Sequence, residues 1–206
     1  MSTSTTKTAM YEQLDKILKK LVAQIYYLSR NYRRMKLDEM NVVGEINKLY
    51  RELEELSRAA FEEIAEYYYR AENGKRHIDW QEWLDEFLRT PSPVLKYSFG
   101  SEAVRKRDRL VEALIATTGS VAEFDKAMSY WAQMSGWEAL EVADEAILEA
   151  REENGVELVA WRSEHDNKVC NHCWELNGKI FSLDDLPPKP HPNCRCWTEV
   201  VEEGGT

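Results

Sequence analysis

The chain has 206 residues, of which 43% are hydrophobic and 31% are charged, a composition that predicts a globular protein with an apolar core. Its 37 acidic and 27 basic side chains give a formal charge of -10, which disfavours a general nucleic-acid-binding protein. No run of the sequence approaches the roughly 18 consecutive apolar residues of a membrane span.

Two long helices are predicted first. From Tyr11 to Tyr32, apolar residues recur every three or four positions and form one stripe. In the next helix, about 37–73, the apolar positions step alternately by four and three, as in a coiled-coil seam, and Gly74 ends it. A junction near Met35 predicts an antiparallel hairpin, or an arm that packs on another protein.

Shorter helices follow. One spans about 79–88 and ends before Pro91 and Pro93, where we expect a linker and a domain sub-boundary near 90–100. The next spans about 101–117. Its cations have acidic neighbours on the same helix, which favours ordinary ion pairing over phosphate contact.

Two more helices complete the helical part. Ser120 and Glu123 form a capping-box pattern that begins a helix ending at about residue 135. Gly136 is expected to interrupt it, and a last helix, 137–153, ends at Asn154-Gly155.

After Gly155 the pattern becomes that of short strands. Val156, Leu158 and Ala160 occupy alternate positions before Trp161 and predict a short strand, and residues 197–201 predict a closing strand. Asn177-Gly178 lies between extended residues in 174–181 and predicts a β-hairpin. A unit of about 50 residues buries too little apolar surface to be stable unaided, so we expect a covalent or metal crosslink.

The cysteines supply that crosslink. The motif Cys170-x-x-Cys173 is followed, after 17 residues, by His191-x-x-Cys194-x-Cys196. Two cysteines at this spacing present both sulfurs to one tetrahedral ion, and a second pair completes a zinc site. Only four of these five groups can bind one zinc, and the choice between Cys194 and Cys196 stays open. Four protein ligands leave no position for water, which describes structural rather than catalytic zinc.

The predicted fold class is therefore mainly α. Residues 1–9 are expected to be a flexible N-terminus, and residues 10–155 an elongated helical body with a long helical hairpin and shorter helices. Residues 156–206 are expected to form a small zinc-stapled β-rich module.

Other uses of the cysteines are less favoured. The N-terminus lacks the apolar centre of a secretory signal, so we expect a reducing compartment, in which a disulfide framework is disfavoured. Thioredoxin-like chemistry needs a helix at the second cysteine, and Asn177-Gly178 follows too soon for one. Zinc deaminases place a His-x-Glu before the Cys-x-x-Cys, and that motif is absent.

One family resemblance rests on these residues. The run Trp161 to Asp166, the two motifs above, Leu176-Asn-Gly178 and Phe181 resemble the C-terminal module of phage Mu protein F-like minor head proteins. The resemblance is specific over about 40 residues and loose elsewhere. An Arg-Thr-Glu-like signature that many relatives carry before the module is not found here.

The resemblance implies a non-enzymatic virion protein of a tailed phage or prophage. Such a protein sits in the head interior, after assembly in the host cytoplasm, and acts in head assembly or DNA delivery by contacting the portal protein and other head proteins. The implied metal ligands are Cys170, Cys173, His191 and one or both of Cys194 and Cys196. An oligomer is compatible with this role, a membrane is not involved, and DNA contact is not favoured.

Two alternatives come from other functional classes. A zinc-stabilised nuclease would use His165, Asp166 or His172. A nucleic-acid-binding zinc module would use the cations Arg162, Lys168, Lys179 and Arg195. Residues 156–206 carry nine acidic and five basic side chains, so steering toward DNA would be poor.

Overall fold

The computed structural model describes residues 4–34, 41–89, 100–116, 121–164, 169–191, 194 and 196–201. These residues form five longer helices, a short sixth helix and a small sheet. In chain order the elements are α1 (Ser4–Arg34), α2 (Val42–Ala71), α3 (Trp80–Arg89), α4 (Gly100–Ala116), α5 (Val121–Glu153), β1 (Leu158–Arg162), α6 (Asn171–Leu176), β2 (Ile180–Ser182) and β3 (Trp197–Val200).

Helices α1 and α2 form the antiparallel hairpin that the sequence predicts. Lys20 pairs with Glu63 at 3.5 Å, and the Tyr32 hydroxyl donates to Glu52 at 3.2 Å. A later residue of α1 therefore meets an earlier residue of α2. Helix α1 begins at Ser4, earlier than the predicted start at residue 10, and the junction near Met35 lies outside the described residues.

Helix α5 packs along both members of this hairpin, and α3 and α4 pack against α2. The shared core is apolar and includes the fully buried side chains of Ile46, Leu49, Leu53, Phe61 and Ile64 on α2. Polar groups enter it too, and Nε1 of Trp131 donates to Oγ of the buried Ser57 at 3.2 Å. A buried indole N–H without a partner would be costly, so this bond keeps Trp131 in the core.

The predicted break at Gly136 is wrong, because α5 runs unbroken from Val121 to Glu153. Met134 and Ser135 before the glycine and Ala139 after it are all buried against the rest of the core. A glycine in a helix interior costs only about 1 kcal/mol relative to alanine. Packing on both sides of Gly136 outweighs this cost. Ser120 of the predicted capping box lies outside the described residues.

The predicted end of α2 at Gly74 is close to the observed one. Asn73 has φ 66°, the left-handed conformation that ends helices, and the N–H of Gly74 donates to the carbonyl of Tyr69 at 3.0 Å. Glu153, at the end of α5, accepts the backbone N–H groups of Lys75 and Arg76 at 3.1 and 3.2 Å. The loop after α2 is thereby attached to the end of α5.

The sheet has the strand order β2-β1-β3, and both pairings are antiparallel. Val159 of the central strand pairs with Phe181 on one side and Val200 on the other. The predicted hairpin at Asn177-Gly178 is wrong, because this turn joins α6 to β2. Gly178, at φ 81°, supplies the turn, and residues 174–176 are helical instead of extended.

A mainly helical chain that ends in a small antiparallel β unit confirms the predicted fold class. The division into 1–9, 10–155 and 156–206 stays a prediction, and the Pro91–Pro93 segment lies outside the described residues. Among the described helices, none combines the length and the apolar character needed to cross a bilayer.

Candidate metal centre

The first two cysteines are positioned by α6. Cys170 is the residue before the helix, in an extended conformation with φ -74° and ψ 156°, and its sulfur accepts the N–H of Cys173 at 3.4 Å. Cysteine thus takes the place of the usual N-cap oxygen. One helical turn then brings Cys173 back beside Cys170, as the Cys-x-x-Cys spacing predicts.

The five predicted ligands converge in two sets of three that share Cys173. Within each set the candidate ligand atoms all lie within 4.8 Å of one another. One set is Cys170, Cys173 and His191, and the other is Cys173, Cys194 and Cys196. The sulfurs of Cys173 and Cys194 are 3.4 Å apart. Residues 21 positions apart in the chain therefore meet at one place.

The cluster is enclosed by apolar side chains. Cys173, Cys194 and Cys196 are each less than 5% exposed, and Trp161 of β1 packs on them with an exposure of 2%. The surrounding partly buried residues are Val169, Leu176, Phe181 and Leu186. This second core is small and separate from the helical core, and cysteine side chains lie at its centre.

The environment of the sulfurs favours a bound cation. Burial raises the pKa of the Cys173 thiol, and its contacts with Cys170 and Cys194 add to the rise. The contact with Cys196, together with burial, raises the pKa of Cys194. For Cys170, burial acts to raise the pKa, but the N–H of Cys173 and the side chains of Cys173 and His191 lower it. Crowded thiols of this kind can ionise together only if a cation balances their charge.

The donor set fits zinc. Four thiols and one imidazole are the ligands that Zn²⁺ takes in structural sites, and the four cysteines are free thiols. Two sulfurs bound to one zinc at about 2.3 Å lie about 3.8 Å apart in a tetrahedron, close to the observed spacing of Cys173 and Cys194. When bound, the metal would supply charge balance and a crosslink between the two motifs.

Acidic residues of α5 meet the segment that leads to His191, and the sequence patterns did not indicate this contact. Lys189, two residues before His191, forms an ion pair with Asp144, and its side chain is only 12% exposed. Burial raises the pKa of the nearby Glu141 to about 7, with a further contribution from Asp144 and an opposing one from Lys189. Neither spacing nor composition marks these residues, because their proximity depends on how the sheet docks on the helix.

The other candidate residues are not gathered at this site. His172 lies exposed on α6, Lys179 is exposed after it, and Arg162 is paired with Glu199 at 2.8 Å. The remaining candidates lie outside the described residues: His165, Asp166, Lys168 and Arg195.

One argument against thioredoxin-like chemistry was wrong. We expected no helix at the second cysteine, whereas Cys173 lies on α6. The described sheet is nevertheless antiparallel throughout, not the βαβ arrangement of that class, and Cys173 contacts Cys194 as well as Cys170.

Comparison with known protein families gives one result. Residues 109–199 match the family described as Phage Mu protein F like protein. This segment runs from α4 through α5 to β3 and contains all five predicted ligands, so the resemblance noted in the sequence is confirmed there. It covers somewhat less than half of the chain. Comparisons with curated proteins and with solved structures find no match.

Proposed function

We propose that this chain is a minor head protein of a tailed phage or prophage, because residues 109–199 match the phage Mu protein F like family. It acts without catalysis, in head assembly or DNA delivery, through contacts with the portal protein and other head proteins. It resides in the head interior of the virion and in the host cytoplasm during assembly.

The observation that carries this proposal is the extent of the family match. The matched segment includes α5, the sheet and the whole cysteine cluster, so the family assignment and the candidate centre concern the same part of the chain. Helices α1, α2 and α3 precede the match. We propose that this helical part supplies assembly contacts, consistent with the exposed Tyr26 and Tyr27 on α1.

Within this function the metal centre has a structural role. Four of Cys170, Cys173, His191, Cys194 and Cys196 hold one Zn²⁺, which joins the α6 segment to the segment before β3. Apparent binding free energies of about 10–16 kcal/mol are typical of structural zinc in small peptides. A contribution of this order decides whether a second core as small as this one folds.

The proposed role is tested by co-expressing the chain with the portal protein encoded in the same genome. We expect the two to co-purify through affinity capture of the portal and size-exclusion chromatography. Co-purification that survives metal removal would place the contact in the helical part, and loss on chelation would place it in the module. The proposal would be contradicted, and the nuclease alternative favoured, if the chain does not co-purify with the portal protein and cleaves DNA after rigorous purification.

A further inference from the structure

Helix α1 has two opposed seams of side chains. The inner seam is apolar, packs into the helical core and steps alternately by four and three positions: Leu14, Leu18, Leu21, Ile25, Leu28 and Tyr32. The outer seam has the same spacing, begins two positions later and is exposed at each position: Lys16, Lys20, Ala23, Tyr27 and Arg30. A step of two residues turns a helix by about 200°, so the two seams lie on opposite sides. Because this spacing lets one helix pack along another, the outer seam has the layout of a helix-binding face.

The side chains of the outer seam are those of a protein interface. Tyr27 is 67% exposed, and Tyr and Arg are enriched where proteins bind each other. Ala23, one turn before Tyr27, is small and lets a second helix approach closely. Lys20 is paired with Glu63 of α2 at 3.5 Å, whereas no described carboxylate pairs with Lys16 or Arg30.

The charge of α1 defines the partner. Its seven basic and two acidic side chains give the helix a formal charge of +5, although the whole chain carries -10. Binding surfaces carry complementary charge, so the surface that meets the outer seam is acidic.

We propose that the outer seam of α1 docks an acidic helix of the portal protein, with Tyr27 in the centre of the contact and Lys16 and Arg30 at its charged rim. This inference rests on the proposed function, which supplies the portal as the partner. The seam supplies the side of this chain that makes the contact. Helix α1 lies outside the segment 109–199 that matches the family.

Two other occupants fit the outer seam less well. A second copy would bring together two chains of charge -10, and a symmetric contact would place the cations of two outer seams side by side. On the acidic helix α5 of such a copy, Asp144 is already paired with Lys189. A DNA duplex would find only Lys16 and Arg30 without an ion pair on the seam, whereas proteins whose DNA binding is strongly salt-dependent contact about six to ten phosphates.

The experiment measures the affinity of the full chain for the purified portal protein of the same genome, by biolayer interferometry at several salt concentrations. Tyr27→Ala removes the central side chain of the seam, and Lys16→Glu/Arg30→Glu reverses its charge. The matched control is Lys126→Glu/Lys179→Glu, which reverses two exposed lysines outside α1 and changes the net charge equally. Thermal unfolding verifies that each variant is folded, and the two seam variants test the surface independently of each other.

We expect the affinity of wild type to fall as salt rises, because the contact is partly electrostatic. Tyr27→Ala should bind the portal about tenfold more weakly, as loss of a central interface tyrosine commonly does. Lys16→Glu/Arg30→Glu should bind at least about tenfold more weakly and lose most of the salt dependence, and the control should stay within about twofold of wild type.

Folded seam variants that bind the portal within about twofold of wild type would overturn the inference and leave the proposed function standing. Wild-type chain that does not bind the portal would overturn both. The chain alone is also examined by size-exclusion chromatography and by titration with a DNA duplex. Seam variants that lose self-association or DNA binding while they keep portal binding would assign the outer seam to a second copy or to DNA, and the proposal would be wrong.

Discussion

Arg151 of α5 and Thr198 of β3 are joined by two hydrogen bonds across the junction between the helices and the sheet. Nη1 of Arg151 donates to Oγ1 of Thr198 at 2.6 Å, and Nη2 donates to its carbonyl oxygen at 3.3 Å. The same guanidinium contacts both carboxylate oxygens of Glu72, just after α2, at 3.1 and 3.3 Å. One buried side chain therefore connects the sheet, α5 and the end of α2.

Replacing Arg151 by Met should lower the free energy of unfolding by about 3 kcal/mol, because the change leaves the Glu72 carboxylate partly buried without its cation. Thr198→Val should have a smaller effect, about 1 kcal/mol, since it removes one hydrogen bond. Urea unfolding of the zinc-saturated chain measures both. Arg151→Met/Glu72→Gln should recover part of the loss. An Arg151→Met variant within about 0.5 kcal/mol of wild type would show that the junction does not depend on this side chain.

Gly74 is the second test, because there is no room for a side chain at this position. A Cβ atom on Gly74 would overlap the ring of Tyr69, which is fully buried and whose hydroxyl bonds to Glu153. We expect Gly74→Ala to lower the free energy of unfolding by about 1–3 kcal/mol, as overpacking typically does.

The matched control is Gly44→Ala on α2, where a Cβ would meet nothing within 4 Å. Alanine is the better helix former, so this variant should be more stable by about 0.5–1 kcal/mol. Opposite signs for the two substitutions, measured by thermal unfolding, would confirm that the Tyr69 ring sets the requirement for glycine. Two changes of the same sign would contradict it.

The helical part could be predicted from sequence because its signals are local and repeated. The hairpin of α1 and α2 follows from apolar periodicity, and the predicted end at Gly74 is close to the real one because Asn73 takes the left-handed conformation that ends helices. At Gly136 the local signal is misleading. Glycine is less favourable than alanine in a helix by about 1 kcal/mol at most. This cost is smaller than the packing energy of the buried turns on either side of Gly136.

In the candidate site, too, local features could be predicted from the sequence and long-range contacts could not. The residues that converge could be predicted from their spacing, since Cys-x-x-Cys has a geometric meaning that does not depend on the fold, and their role as metal ligands stays a prediction. The Asn177-Gly178 turn was assigned to the wrong partners, because a two-residue signal does not specify which elements it joins. Lys189 and Asp144 were missed, since their contact forms only when the sheet docks on α5. Such long-range pairs leave no pattern in one sequence.

Glu141 should give the chain a measurable pH dependence. Burial raises its pKa from 4.5 to about 7 in the fold, with Asp144 and Glu145 adding to the rise and Lys189 opposing it. Because the folded value exceeds the unfolded one, the favourable contribution is complete below about pH 4.5 and is lost as the pH rises through about 7.

The variant Glu141→Gln lacks this titration. We expect it to be more stable than wild type at pH 8, by up to about 3 kcal/mol, and the advantage to shrink toward pH 5. Urea unfolding of both chains across this range measures the difference, in which the contribution of the shared metal centre cancels. An advantage that stays constant with pH would mean that Glu141 is not held in the environment described.

The shared position of Cys173 predicts an unequal response of the cysteines to substitution. Cys173 belongs to both sets of three candidate ligands, whereas Cys196 belongs to one. Loss of Cys173 also leaves four groups, but they form two separate pairs, Cys170 with His191 and Cys194 with Cys196, which no shared residue brings together, so Cys173→Ser should bind no zinc under reducing conditions. Cys196→Ser retains four groups, namely Cys170, Cys173, His191 and Cys194, and should still bind about one zinc per chain.

Elemental analysis of the purified variants, combined with thermal unfolding with and without a chelator, measures this difference. The chelator should lower the unfolding temperature of wild type and Cys196→Ser and leave Cys173→Ser unchanged, because only a bound metal stabilises the fold through binding. Equal zinc content in the two variants would contradict a centre built around Cys173. Loss of zinc in both would instead make Cys196 an obligatory ligand and one of Cys170, His191 and Cys194 the dispensable group.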